Sequence, residues 1–170
     1  DTAGNSAIDV TASEVTIDLT PPGTPTVNLH ISSTGKPTLS GTYDDANYAS
    51  LSVVVNGVAY NLGATLLASG GNWSLNLTGL TTPLADLAYY DVVVTAVDVA
   101  GNSASDTTTE DLLVDTTDPG PPTVDDLLTN TGKPTLTGTY DATDFATLTV
   151  RVNGVDYPDS GTQLSVNGSG

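Results

Sequence analysis

The 170-residue sequence contains no cysteine and no methionine, and only one tryptophan, one phenylalanine and one histidine. Without cysteine there is no disulfide, no thiol nucleophile and no zinc–thiolate centre. A small β-domain outside the cell that lacks cross-links depends on metal or on length for help. Cations are nearly absent as well: three Lys and Arg stand against 20 Asp and Glu, a formal net charge of −17. DNA, RNA and anionic membranes are held through basic patches, so no nucleic acid and no direct membrane contact is expected. Such a surface attracts divalent cations, or else suits a saline medium that merely screens it. No apolar run approaches the roughly 18 residues of a membrane span, and no signal peptide opens the chain. The sequence starts in mid-pattern and is expected to be a piece of a longer protein, with any secretion signal elsewhere.

What is present is a repeat. Gly35-Lys36-Pro37-Thr38-Leu39 returns as Gly132-Lys133-Pro134-Thr135-Leu136, 97 residues on. The same offset carries Ala3-Gly4-Asn5-Ser6-Ala7 onto Ala100-Gly101-Asn102-Ser103-Ala104, and Val55-Asn56-Gly57-Val58 onto Val152-Asn153-Gly154-Val155. The alignment runs without a gap from Asp1 and Asp98 to Trp73 and Gly170, with about half of the paired positions identical. The chain is therefore read as the last strand and linker of one repeat (1–22), a complete repeat (23–119) and the first part of a third (120–170).

A unit of about 100 residues with several short alternating strands has the size of an immunoglobulin-like β-sandwich. No segment has helical periodicity, and proline falls between the alternating runs, where a ladder tolerates it. The expected architecture is all-β: tandem immunoglobulin-like antiparallel β-sandwiches of about seven strands each. In the complete repeat these strands are predicted near 25–31, 36–43, 50–56, 58–62, 73–78, 89–97 and 106–114. The repeat itself separates the faces. Leu51, Val53 and Val55 match Leu148, Val150 and Val152, whereas Val54 matches Arg151. Alternate residues of a strand point to opposite faces, which places the first three in the core and Val54 toward water. Tyr90, Val92, Val94 and Ala96 share a second buried face, and Trp73, Leu75 and Leu77 a third. Asn56-Gly57 and Asn153-Gly154 signal tight turns. Asp86-Leu87-Ala88-Tyr89-Tyr90 has the spacing of a tyrosine corner, in which a tyrosine bonds back to the preceding loop.

Several of these segments resemble a known family. Asp98-Val99-Ala100-Gly101-Asn102, Val114-Asp115-Thr116-Thr117-Asp118-Pro119 and Lys133-Pro134-Thr135-Leu136-Thr137-Gly138 are similar to bacterial immunoglobulin-like repeats, which build the extender regions of giant RTX adhesins of Gram-negative bacteria. The resemblance implies a secreted protein of the bacterial cell surface. In it these repeats form a stalk that holds a ligand-binding tip away from the cell, with calcium stiffening the junctions. The glycine-rich nonapeptide of the RTX calcium roll is missing, so the resemblance covers the stalk alone.

In such a fold the chain enters at the end bearing the loops after the second and sixth strands. That end gathers Asp18 from the linker, Asp44 and Asp45 from one loop and Asp98 from the other. The next junction gathers Asp115 and Asp118 from its linker with Asp141 and Asp144 from the following loop. Carboxylates brought together from several loops repel one another unless a cation intervenes. Calcium takes six to eight oxygens in irregular geometry and could also draw on carbonyls and on amides such as that of Asn102. Asp and Asn are equally the favoured turn residues with no metal present, and no EF-hand loop fits.

No constellation suggests catalysis. His30 is matched by Leu127, no serine has a recurring base beside it, and the paired carboxylates lack the aromatic platform of a sugar-cleaving site. The expected function is a structural spacer whose partners are neighbouring repeats. The alternatives are a glycan- or protein-binding module and an accessory domain of a secreted polysaccharide-active enzyme. The partial repeats at either end expose alternating apolar residues such as Val15 and Ile17, and unpaired strand edges of this kind recruit strands from neighbouring molecules.

Overall fold

Leu51, Val53 and Val55 alternate with Ser50, Ser52 and Val54 in one extended run, and the alternation fixes how the sheet is laid down. In the computed structural model, which describes residues 2–166, the first set is buried and the second lies outward. The chain divides into two units, one ending at Thr116 and one beginning at Thr117.

The first unit holds β1 (Thr26–Val27), β2 (His30–Ser32), β3 (Thr38–Thr42), β4 (Ser50–Val55), β5 (Val58–Asn61), β6 (Leu66–Ser69), β7 (Asn72–Asn76), β8 (Ala88–Tyr90), β9 (Val92–Val97), β10 (Ser103–Ser105) and β11 (Leu112–Val114). They assemble into a sheet of order β1-β3-β7-β6, a second of order β10-β9-β4-β5, and a three-stranded sheet β2-β11-β8. Every pairing is antiparallel except that of β2 with β11. All seven expected strands are found. The first and sixth are each divided, and β6 and β10 are additional. The divisions arise because one strand path serves two sheets. Thus β1 pairs with β3 while β2 turns to β11, and β8 pairs with β11 while β9 pairs with β4.

The core is the set of side chains that the alternation turns inward. Leu51, Val53 and Val55 from β4 meet Val92, Val94 and Ala96 from β9 and Leu39, Leu66, Trp73, Leu75 and Leu77 from the facing sheet. Trp73 is its largest member, and its indole N–H donates to the Thr26 carbonyl at 2.9 Å. Asn56 and Gly57 take φ of 50° and 75° between the paired Val55 and Val58, the left-handed geometry a two-residue hairpin needs. The Tyr90 hydroxyl accepts the Ala85 N–H at 2.7 Å, closing the tyrosine corner.

In the second unit β12 (Thr149–Val152) and β13 (Val155–Pro158) form a hairpin around Asn153 and Gly154, at φ of 46° and 81°. Local contacts of the first unit recur there 97 positions on. The Thr26–Thr42 hydroxyl pair returns as Thr123–Thr139, each at 2.7 Å. The edge-to-face pair Tyr43–Tyr48 returns as Tyr140–Phe145, with ring centroids 4.6 and 4.7 Å apart. Of the strands expected over residues 120–170, the hairpin alone is laddered among the described residues. The backbone bonds Thr123 to Thr139 and Asp125 to Thr137 join the two preceding segments. Residues 2–22 form no strand, and Val15 and Ile17 are 80% and 78% exposed, whereas their counterparts Leu112 and Val114 are fully buried. A lone strand has no ladder to satisfy its backbone, so water does. The repeat partners Asp1 and Gly170 lie outside the described residues.

Candidate linker site

The turn from β9 to β10 is built on a carboxylate. Asp98 is 3% exposed; its Oδ1 accepts the Asn102 backbone N–H at 2.8 Å and its Oδ2 the Asn102 side-chain amide at 2.9 Å. The ring is closed by the Asp98 N–H donating to the Asn102 carbonyl at 2.9 Å. Gly101 supplies the positive φ, 93°, that lets the chain double back. The same Asn102 amide donates to the Asp18 carbonyl at 3.0 Å, across 84 residues of sequence. The strand-to-strand turn thus grips the incoming linker through its main chain. The Asn102 hydrogen bonds hold the Asp98 carboxyl below its ordinary range.

The other predicted residues of this end do different work. Asp18 turns its carboxylate back onto the Thr20 N–H at 2.9 Å. Asp44 accepts Gly23 N–H and Ala46 N–H, both at 3.1 Å, so it pins the segment before β1 to the loop after β3. Asp45 accepts the Tyr43 hydroxyl at 2.7 Å. Burial first, and this bond second, push the Tyr43 hydroxyl far above its ordinary value. Gly23 was not singled out from the sequence. The signal was available: Gly23 and Asp44 recur together as Gly120 and Asp141, and the bond recurs with them at 3.3 Å.

Of the second set, Asp115 belongs to the first unit and donates its N–H to the Ser32 carbonyl at 2.9 Å. In the second unit Asp141 also accepts the Thr143 N–H and hydroxyl at 3.0 and 2.7 Å. Thr143 is the main reason its carboxyl is held below the ordinary range. Asp118 is exposed and Asp144 half-buried. Among the described residues no three carboxylate or imidazole side chains are gathered so as to hold a metal ion. Asp98, Asp18 and Asn102 are drawn together, but through one side-chain carboxylate and one carbonyl. These are hard oxygens, the kind calcium takes.

Asp98 sets a pH dependence. Its carboxyl titrates lower in the folded state than the 3.8 of a free aspartate, so the charged turn adds stability above that value. The contribution is lost as pH falls through the depressed folded value. Asn102→Ala is expected to lower the urea midpoint of the Trp73-reported transition at pH 6, with the gap to the parent narrowing below about pH 4. A gap that stayed constant to pH 2.5 would show that Asn102 acts without the Asp98 charge.

Two β-sheets packed face to face, a strand path that changes sheet at both ends and a polar turn that holds the incoming chain define an immunoglobulin-like sandwich. Residues 23–116 match the family described as the bacterial Ig-like domain, and the chain belongs to it. No curated protein matches the chain. Domains of this family are often found outside the cell or on its surface and are typically non-catalytic. Among the described residues no helix is long and apolar enough to cross a membrane.

Proposed function

We propose that this chain is a spacer in the stalk of a secreted bacterial adhesin of the giant RTX type, built from tandem repeats that hold a binding tip clear of the cell surface. The observation that carries the reading is the linker grip: Asn102 fastens the Asp18 carbonyl to the turn that follows β9. A module whose polar end is devoted to the chain before it suits a load-bearing series better than a binding pocket. The recurrence of Gly23–Asp44 as Gly120–Asp141 supports one build used repeatedly. Calcium is the proposed stiffener, taken up by Asp18, Asp44, Asp45 and Asp98, and one repeat later by Asp115, Asp118, Asp141 and Asp144. Its chemistry there is neutralisation of carboxylates that otherwise repel.

The Val, Leu and Trp core needs no metal to pack, whereas the linkers hold few apolar residues that could fix an angle. Calcium is therefore expected to lengthen and narrow the ensemble rather than build the domains. Calorimetric titration of several consecutive repeats should detect uptake near millimolar calcium. Small-angle scattering should give a longer maximum dimension with calcium than with chelator. Uptake absent at that concentration, or superimposable scattering profiles, would sink the calcium role and leave a spacer of fixed stiffness.

A further inference from the structure

The outer face of the β3–β7 pair is a hydroxyl and amide surface, and the outer face of the small sheet is not. On β3 and β7 the outward residues are Thr38, Ser40, Thr42, Asn72, Ser74 and Asn76. On β2-β11-β8 the register places Leu113 opposite both Ile31 and Tyr89. Their neighbours Ser32, Leu112 and Val114 are buried on the inner face, so Ile31, Leu113 and Tyr89 form one apolar row facing out. Ile31 is 68% and Tyr89 59% exposed. Leu29 and Leu87, just outside the strands that carry Ile31 and Tyr89, are exposed as well. Leu87 is held at φ 51°, a conformation that costs a leucine about 1–2 kcal/mol. A contiguous exposed apolar row crossing three paired strands marks a contact surface.

Charge decides among the occupants. Carboxylates stand on both sides of the row, beyond the two ends of its strands. Asp91 and Glu110 stand together at one, where the Glu110 N–H donates to Asp91 at 2.8 Å. Asp86 and Asp115 stand at the other, where Asp86 accepts the Thr116 N–H. Lys36, in the loop after β2, is the one cation of residues 2–116. A second copy would bring the same carboxylates and a charge of −17 against them. A glycan would need more than one aromatic ring to stack on. We infer that the Ile31–Leu113–Tyr89 row is a docking face for a basic amphipathic polypeptide, whose apolar side chains cover the row while flanking Lys or Arg meet the carboxylates on either side of it.

The test is calorimetric titration of the 170-residue chain with three synthetic peptides of equal length: alternating Lys and Leu, alternating Lys and Ser, and alternating Glu and Leu. The Lys–Leu peptide should bind, more weakly as salt rises. Ile31→Ser and Tyr89→Ser should each weaken it by about tenfold, with the Trp73 fluorescence of the fold unchanged. Equal affinity for the Lys–Ser peptide would reduce the effect to general attraction by an acidic chain and overturn the assignment. So would unaltered binding by both variants, or equal binding of the Glu–Leu peptide. A dimer in sedimentation that Tyr89→Ser abolishes would assign the row to a second copy instead.

Discussion

Gly41→Ala is expected to cost the first unit about 3 kcal/mol, which lowers its melting temperature by roughly 10–20 °C. A Cβ at position 41 would lie 1.9 Å from the Thr26 carbonyl oxygen and 2.6 Å from the Trp73 indole nitrogen. The first obstacle is backbone and cannot rotate away. That carbonyl is also the acceptor of the indole N–H, so moving β1 aside unseats the largest side chain of the core. The backbone at Gly41 is ordinary strand, and the demand for glycine is purely steric: Trp73 sits across the ladder from it. Urea denaturation followed by the fluorescence of Trp73, the sole tryptophan, measures the loss directly. Gly79, where an added Cβ meets nothing within 4 Å, provides the control. A loss below about 1 kcal/mol at Gly41 would mean that β1 relaxes freely and is not fixed by this contact.

Asp111→Ala is expected to cost about 2–3 kcal/mol. Asp111 is 4% exposed and sits where the β8–β9 path changes sheet. Its Oδ2 accepts the N–H of fully buried Val92 at 3.0 Å, and its Oδ1 takes the Thr108 hydroxyl. Asp91 reciprocates by accepting the Glu110 N–H. The two aspartates thus satisfy backbone donors that the break in the ladder would orphan. Alanine removes the acceptor but leaves the Val92 N–H buried, the expensive half of a broken bond. Asp111→Asn retains an oxygen and should recover part of the loss. Native-state hydrogen exchange at Val92 separates a local effect from a global one: its amide should lose more protection than that of Val94. If alanine is tolerated with less than about 0.5 kcal/mol lost, water has taken over the carboxylate's place.

The faces of the sandwich were legible because two copies of one pattern differ where water is. Val54 against Arg151 is enough to orient β4, and the burial of Leu51, Val53 and Val55 follows. Periodicity could not show where a strand leaves one sheet for another. Residues 89–97 read as one run, yet Asp91 interrupts it, because β8 and β9 have different partners. The segment 106–114 read as a full strand, but residues 106–111 cross between sheets and only β11 is laddered. Leu66–Ser69 escaped notice since four residues before a double glycine carry no alternation, although Leu66 is fully buried.

For the linker site the acidic residue types were legible and their partners were not. Asp98 and Asp44 were marked by charge, whereas their work is done with backbone N–H groups and an amide at positions 23, 46 and 102. Backbone donors have no sequence signature. Asp111 was overlooked inside an expected strand, though its counterpart Glu14 repeats an acid at that position.

The parallel pairing of β2 with β11 has a mechanical consequence. The chain arrives through one and departs through the other, so a pull on the two ends of the domain acts on these two strands in opposite directions. Their rungs run from His30 beside Leu112 to Ser32 beside Val114. They are flanked by His30 N–H to the Asp111 carbonyl at 2.8 Å and Asp115 N–H to the Ser32 carbonyl at 2.9 Å. Tension therefore loads these bonds side by side in shear, where they must yield together. A hairpin pulled open from one end would surrender them one at a time.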